Sequence, residues 1–192
     1  MKKIIAKILM FIILTVIVFW YGYHFSLNRD NDSKMVSVSL IRANYEYDIR
    51  DINQIIDKVD YIFVGEVKDI KGYDYQNPVC VELENGEIKT IYDTYTNYEI
   101  LVKDCYKGKL DNHCLQRIQK RGGLEYTGDS IAIMENDILP DIGKTYLFFA
   151  YKQSDGTILV SGENSNILLT ESNFEQLISE VMYAVNNRGD LQ

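Results

Sequence analysis

Cys80, Cys105, Cys114, His24 and His113 are the entire supply of thiol and imidazole in this 192-residue sequence, so thiol or metal chemistry must be built from them. His113, Cys114 and Cys105 would offer three metal ligands, without the paired spacing that structural zinc sites use. A thiol nucleophile needs a base within hydrogen-bond reach. His113 and Cys114 are sequence neighbours, and neighbours on a strand point to opposite faces. That leaves Cys80 with His113 as the dyad, and Cys80 or Cys114 as the nucleophile of an exported thiol enzyme. No Cys-x-x-Cys occurs, which argues against a thioredoxin-like redox role. The 28 carboxylates make pairs such as Glu82 with Glu84 or Asp129 with Asp137 inevitable, and no glycosidase assignment follows from them. The expectation is a chain with no catalytic residues, no metal and no cofactor.

The cysteines have a second use. Cys105 and Cys114 flank Lys107-Gly108-Lys109 and could face each other across a hairpin. A disulfide there would contribute about 2–3 kcal/mol on the chain-entropy account. Three pairings are possible among three cysteines, and all three thiols staying reduced is the competing reading.

The aromatic content points to binding. Of 15 tyrosines, Tyr73, Tyr75, Tyr92, Tyr95, Tyr98 and Tyr106 crowd one region. Tyrosine offers a flat stacking surface with a polar tip. Tyr92, Tyr95 and Tyr98 are therefore the candidate ligand-binding residues, with half-buried strand tyrosines as the plain alternative.

These residues must be positioned by a mainly β domain. Ile49, Ile52, Ile55, Ile56 and Val59 recur at helical intervals and predict a helix over 49–58, capped by Asp48 or Asp51. Residues 61–70 have strand character, with Gly65 a bulge or a tight bend. Residues 72–84 read as a loop or an irregular excursion, and Asn85-Gly86 as a hairpin signal leading into the next strand. Thr90, Tyr92, Thr94, Thr96, Tyr98, Ile100 and Val102 share one parity, which predicts one long, bent strand over 88–106. Further strands are expected at 114–119, 145–151 and 157–162, the first broken by Gly122-Gly123; the segment 127–143 has no clear pattern. Ser172-x-x-Glu175 resembles a capping box and opens an amphipathic helix over 172–187, whose stripe is Phe174, Leu177, Ile178, Val181, Met182 and Val185. About five strongly curved strands with flanking helices suggest a small OB-like barrel.

Ahead of this domain, Lys2, Lys3 and Lys7 lead into an apolar run. Residues 4–23 at about 1.5 Å per residue match a bilayer core of about 30 Å. Trp20, Tyr21 and Tyr23 suit the far interface, and the lysines predict a cytoplasmic N-terminus. The exit is bulky where a signal-peptide cut needs small residues, so 1–23 reads as an uncleaved transmembrane anchor. Residues 24–36 form a polar tether, and 37–192 form the extracytoplasmic domain. The anchor holds three of the 20 basic residues and no acidic one, which leaves 17 basic against 28 acidic residues, a formal charge of −11. That field repels nucleic acid and anionic headgroups.

Val59-Asp60-Tyr61-Ile62-Phe63-Val64-Gly65-Glu66-Val67 resembles the A-D-x-V-x-x-G-x-V opening of domains similar to tissue inhibitors of metalloproteinases and netrin modules. Tyr98 to Gly108 is similar to that family's second strand with its Lys-Gly turn, and Ile142 to Phe149 to its x-G-x-x-Y-L-x-F strand. The likeness covers about residues 50–162 and implies an OB-type barrel. It does not imply metalloproteinase inhibition: the family's inhibitors chelate zinc through an N-terminal cysteine, and here no cysteine precedes Cys80. The expected function is a non-enzymatic binding module at the bacterial cell envelope, taking a wall glycan or a protein partner. The other two classes are a structural subunit of a membrane complex and the thiol enzyme described above.

Overall fold

The structure, a computed structural model, describes residues 37–44, 48 and 51–189. The expected anchor and tether lie outside these residues. Among the described residues, no helix is long and apolar enough to cross a membrane. In chain order the elements are β1 (Ser37–Ile41), α1 (Ile52–Lys58), β2 (Tyr61–Glu82), β3 (Ile88–Lys107), β4 (Leu115–Arg121) and β5 (Gly123–Leu124). They continue with β6 (Ser130–Met134), β7 (Thr145–Lys152), β8 (Ile158–Val160), β9 (Asn166–Leu168) and α2 (Phe174–Gly189).

Five strands close into a ring. β2 pairs antiparallel with β3 on one edge and with β7 on the other; β3 pairs antiparallel with β4. β7 turns back on β8, and β8 lies parallel to β4. β9 adds to β7 beyond β8, while β1, β6 and β5 form a separate three-stranded sheet.

Inside the ring lie Phe63, Val67, Tyr98, Ile100, Val102, Ile118, Tyr146, Phe148, Ile158 and Val160. Phe63 and Phe148 stack with centroids 5.1 Å apart. On the outer face of β2 and β7, Ile62, Val64, Leu147 and Phe149 are covered by Ile52, Ile55 and Ile56 of α1 and by Ile178, Val181 and Ala184 of α2. β7 is therefore buried on both faces, which is why Tyr146 to Ala150 is an unbroken apolar run rather than an alternating one.

The hinge between α1 and the barrel is the Lys107–Gly108 corner. Lys107 Nζ donates to the carbonyls of Ile56 and Val59, 2.6 Å each, and satisfies the open end of α1. Gly108 has φ +86°, and a Cβ there would sit 2.8 Å from the Asp60 carbonyl oxygen and against the Tyr61 ring. At the other end Asp51 caps α1 through its bond from the Asn53 N–H.

Several sequence expectations change. Residues 72–82 are strand, not loop: β2 continues to Glu82 by pairing with β3, and absorbs Gly72 and Pro78 at register shifts. The two strands thus run past the ring as a long arm closed by the turn at Asn85-Gly86, where Gly86 has φ +81°. The segment 127–143 contains β6, which pairs parallel with β1. α1 begins at Ile52, and the expected Ile49 lies outside the described residues. The start of α2 is tied by Asn173, whose Oδ1 accepts from the Thr170 N–H and whose Nδ2 donates to the Leu168 carbonyl. Phe174 and Met182 of its expected stripe are exposed, and Ala184 is buried instead.

Two outcomes test this account. Gly108→Ala should lower stability by about 1–3 kcal/mol, because it forces a side chain into a positive-φ corner; unchanged urea unfolding would remove the corner's role. Burial holds the Tyr98 phenol well above its usual range. The folded state therefore keeps that proton above about pH 10 while the unfolded chain loses it, so stability should fall as pH rises past 10. Tyr98→Phe should flatten this alkaline slope; an identical slope in the variant would show that the decline arises elsewhere.

Candidate functional site

An aromatic opening lies where the β2–β3 arm meets the small sheet. Tyr75 comes from β2, Tyr92 from β3 and Tyr126 from the turn between β5 and β6. Their centroids are 5.1 Å (Tyr92 to Tyr126), 5.3 Å (Tyr75 to Tyr126) and 6.2 Å (Tyr75 to Tyr92) apart. The Tyr75 hydroxyl donates to the Leu124 carbonyl, 3.2 Å away, and ties the arm to β5. Burial and the neighbouring tyrosines hold its phenol above the usual range. Beside these rings is a cleft of about 300 Å³ whose walls include Ile41, Thr90, Tyr92, Thr94, Tyr126 and Ala132. Asp93 and Glu125 stand at its rim. Arg121 Nη2 holds Asp93 at 2.9 Å, and Ser130 Oγ donates to Glu125 Oε2 at 2.6 Å. Tyr126 is 66% exposed.

A second, polar cleft of about 520 Å³ lies over the outer face of β4, against the β7–β8 turn. Asp74 Oδ2 accepts from Asn97 Nδ2 at 2.9 Å and from Gln119 Nε2 at 2.6 Å. Lys71 bridges Asp69 and Glu99 on the same side. Its donors and acceptors largely satisfy one another.

The sequence-derived candidates separate in space. Of the three tyrosines proposed as a unit, only Tyr92 borders the aromatic cleft. Tyr98 is 1% exposed inside the barrel and has no free surface to offer. Tyr95 is not among the residues that line that cleft, and lies in register with Asp74 on β2 and Arg121 on β4. Cys105 and Cys114 are free thiols. The β3–β4 turn is offset, so Cys114 bonds back to Val102 while Cys105 lies opposite Phe63 on β2. His113 occupies a positive-φ turn position, φ 62°. Among the described residues no group of three His, Cys, Asp or Glu could hold a metal.

Two groupings went unread in the sequence. Tyr126 sits in a stretch without periodicity, where nothing but residue type could have flagged it. The other is fully interior: Lys120, Asp137 and Ser165. Lys120 Nζ contacts Asp137 Oδ2 at 2.5 Å and donates to Ser165 Oγ at 2.7 Å, and Ser165 Oγ donates on to the Gly162 carbonyl at 2.6 Å. The side chains of Lys120 and Asp137 are 0% and 1% exposed. Burial pulls the ammonium down to about 8 against the pull of Asp137, and burial pushes the carboxyl up. The available signal was parity: Lys120 shares the inward face of β4 with Ile118. A lysine beside a serine resembles a base–nucleophile pair, yet Ser165 is 5% exposed and lines none of the clefts described above.

No protein-family model matches the chain, and no curated protein matches it either.

Breaking the interior pair from one side leaves a buried, uncompensated charge. Lys120→Met should therefore cost about 3–5 kcal/mol in chemical denaturation. A loss below about 1 kcal/mol would mean that Asp137 escapes to solvent when its partner is removed.

Proposed function

We propose that this chain is a non-enzymatic binding module, held at the outer face of a bacterial membrane by residues 4–23, with an OB-type barrel of the netrin-like kind as its head. The ring order supports the OB-type assignment: β2-β3-β4-β8-β7 and back to β2, with β4 and β8 parallel, follows the order of a five-stranded Greek-key barrel. The apolar lead after Lys2, Lys3 and Lys7, together with the anionic remainder, supports the anchored, extracytoplasmic placement.

The observation that carries the binding reading is the open cleft lined by Tyr92 and Tyr126, with Tyr75 packed behind them. The rings meet edge-on or tilted, at 42° to 85°, so each leaves a rigid face of its own and orders it at little entropic cost. Rim carboxylates and threonine hydroxyls accept and donate to hydroxyl groups. Those features suit a sugar ring of a wall glycan, with apolar C–H bonds on the face and hydroxyls on the edge. The formal charge of −11 outside the anchor disfavours a nucleic acid ligand. A protein partner docking at the same cleft is the other outcome of the test.

The full-length chain in detergent micelles, presented with purified wall glycan, tests the reading. Tyr126→Ala and Tyr92→Ala should each weaken retention roughly tenfold, equivalent to about 1.4 kcal/mol. Tyr126→Ala should leave the unfolding midpoint unchanged. Full retention by both folded variants would overturn the site, and adducts to a single protein in intact membranes would replace the glycan by a protein partner. Release of the uncleaved chain from membranes without detergent would overturn the anchor.

A further inference from the structure

We propose that Lys120 and Asp137 condense into an intramolecular amide bond, a covalent staple between the end of β4 and the loop that follows β6. The amine and carboxyl groups are in direct contact, 2.5 Å from Nζ to Oδ2, with both side chains sealed from solvent. In water, condensation is blocked because both groups are ionised and water is abundant. Here burial works against both charges, drawing the ammonium down and the carboxyl up. Glu163 adds to this by raising the carboxyl further. Proton transfer along the existing contact gives a neutral amine facing a neutral acid.

The orientation is set by groups that do not take part in bond making. Asp137 Oδ1 accepts the Ile138 N–H at 2.8 Å, which fixes the carboxyl plane and leaves Oδ2 facing the amine. Ser165 spends its own proton on the Gly162 carbonyl and so offers a lone pair to Lys120. The step balances without a cofactor or oxidant. The ammonium gives one proton to the carboxylate; Nζ attacks Cγ; the Cγ–Oδ2 bond breaks; the departing hydroxyl takes a second proton and leaves as water. One hydrogen stays on the amide nitrogen.

The product fits the same site. Its N–H retains Ser165 Oγ as acceptor, and its oxygen, the former Oδ1, retains the Ile138 N–H. A buried ion pair, whose desolvation offsets much of its attraction, becomes a neutral and fully bonded amide. The bond would close a loop that contains β5 and β6, and so lock the small sheet and its Tyr126 turn onto the barrel.

Mass spectrometry of the native full-length chain decides the matter without any variant. After incubation of the folded protein near pH 8, the expected result is a mass lower by one water in the majority of molecules. Tryptic digestion should give one branched peptide joining the Lys120 and Asp137 segments, with no cleavage after Lys120. Asp137→Ala should restore separate peptides and the full sequence mass. Unlinked peptides bearing free Lys120 and Asp137 in the native protein would overturn the proposal. A water loss that maps to a single unbranched peptide would overturn it as well.

Discussion

Closure of the five-strand ring rests on two seams of unequal strength. β2 and β7 meet over six register pairs, Tyr61↔Ala150 to Glu66↔Thr145, whereas β4 and β8 meet over only Gln119↔Leu159 and Lys120↔Val160. The second seam is short and parallel, the weaker of the two pairing geometries. Lys120 lies in that seam, and its amine is held by Asp137 from the loop after β6 and by Ser165 from the chain after β8. The polar contact thus gathers three segments distant in sequence at the place where backbone pairing is thinnest. A ring opened here would expose Ile118, Ile158 and Val160 and leave a charged amine among them.

The rest of the architecture builds on that closed ring. The two helices cover the outer face of β2 and β7, and the Lys107–Gly108 corner clamps the first of them by supplying hydrogen bonds that its last turn lacks. The arm formed by the extended β2 and β3 carries Tyr75 and Tyr92 away from the barrel and lays them against the Tyr126 turn. The aromatic cleft therefore depends on the small sheet holding its place, and the small sheet is tied to the ring through the loop that carries Asp137. Fold closure and site geometry share one set of interior contacts.

Much of the barrel could be read from residue order. The parity of Thr94, Thr96, Tyr98, Ile100 and Val102 marked the inward face of β3, and all five are buried. Gly65 was recognisable as a bulge or a tight bend, and a Cβ there would collide with Ile100 at 2.3 Å. Other parts resisted. Gly72 and Pro78 have the composition of a loop, but long-range pairing with β3 overrode it and bulges took up the misfit. The three candidate tyrosines looked contiguous in sequence, yet one strand places Tyr92, Tyr95 and Tyr98 on different faces and at different depths.

By itself, then, the order of residues determined local matters: which stretches alternate, that a helix lies near each end of the domain, and the inward face of β3. These follow from side-chain periodicity and backbone propensity, which act over a few residues. Tertiary structure alone decided which carboxylate among 28 meets Lys120 and which tyrosines share a cleft. Those are outcomes of register and ring closure, and a shift of one residue in either would have turned each side chain to the other face.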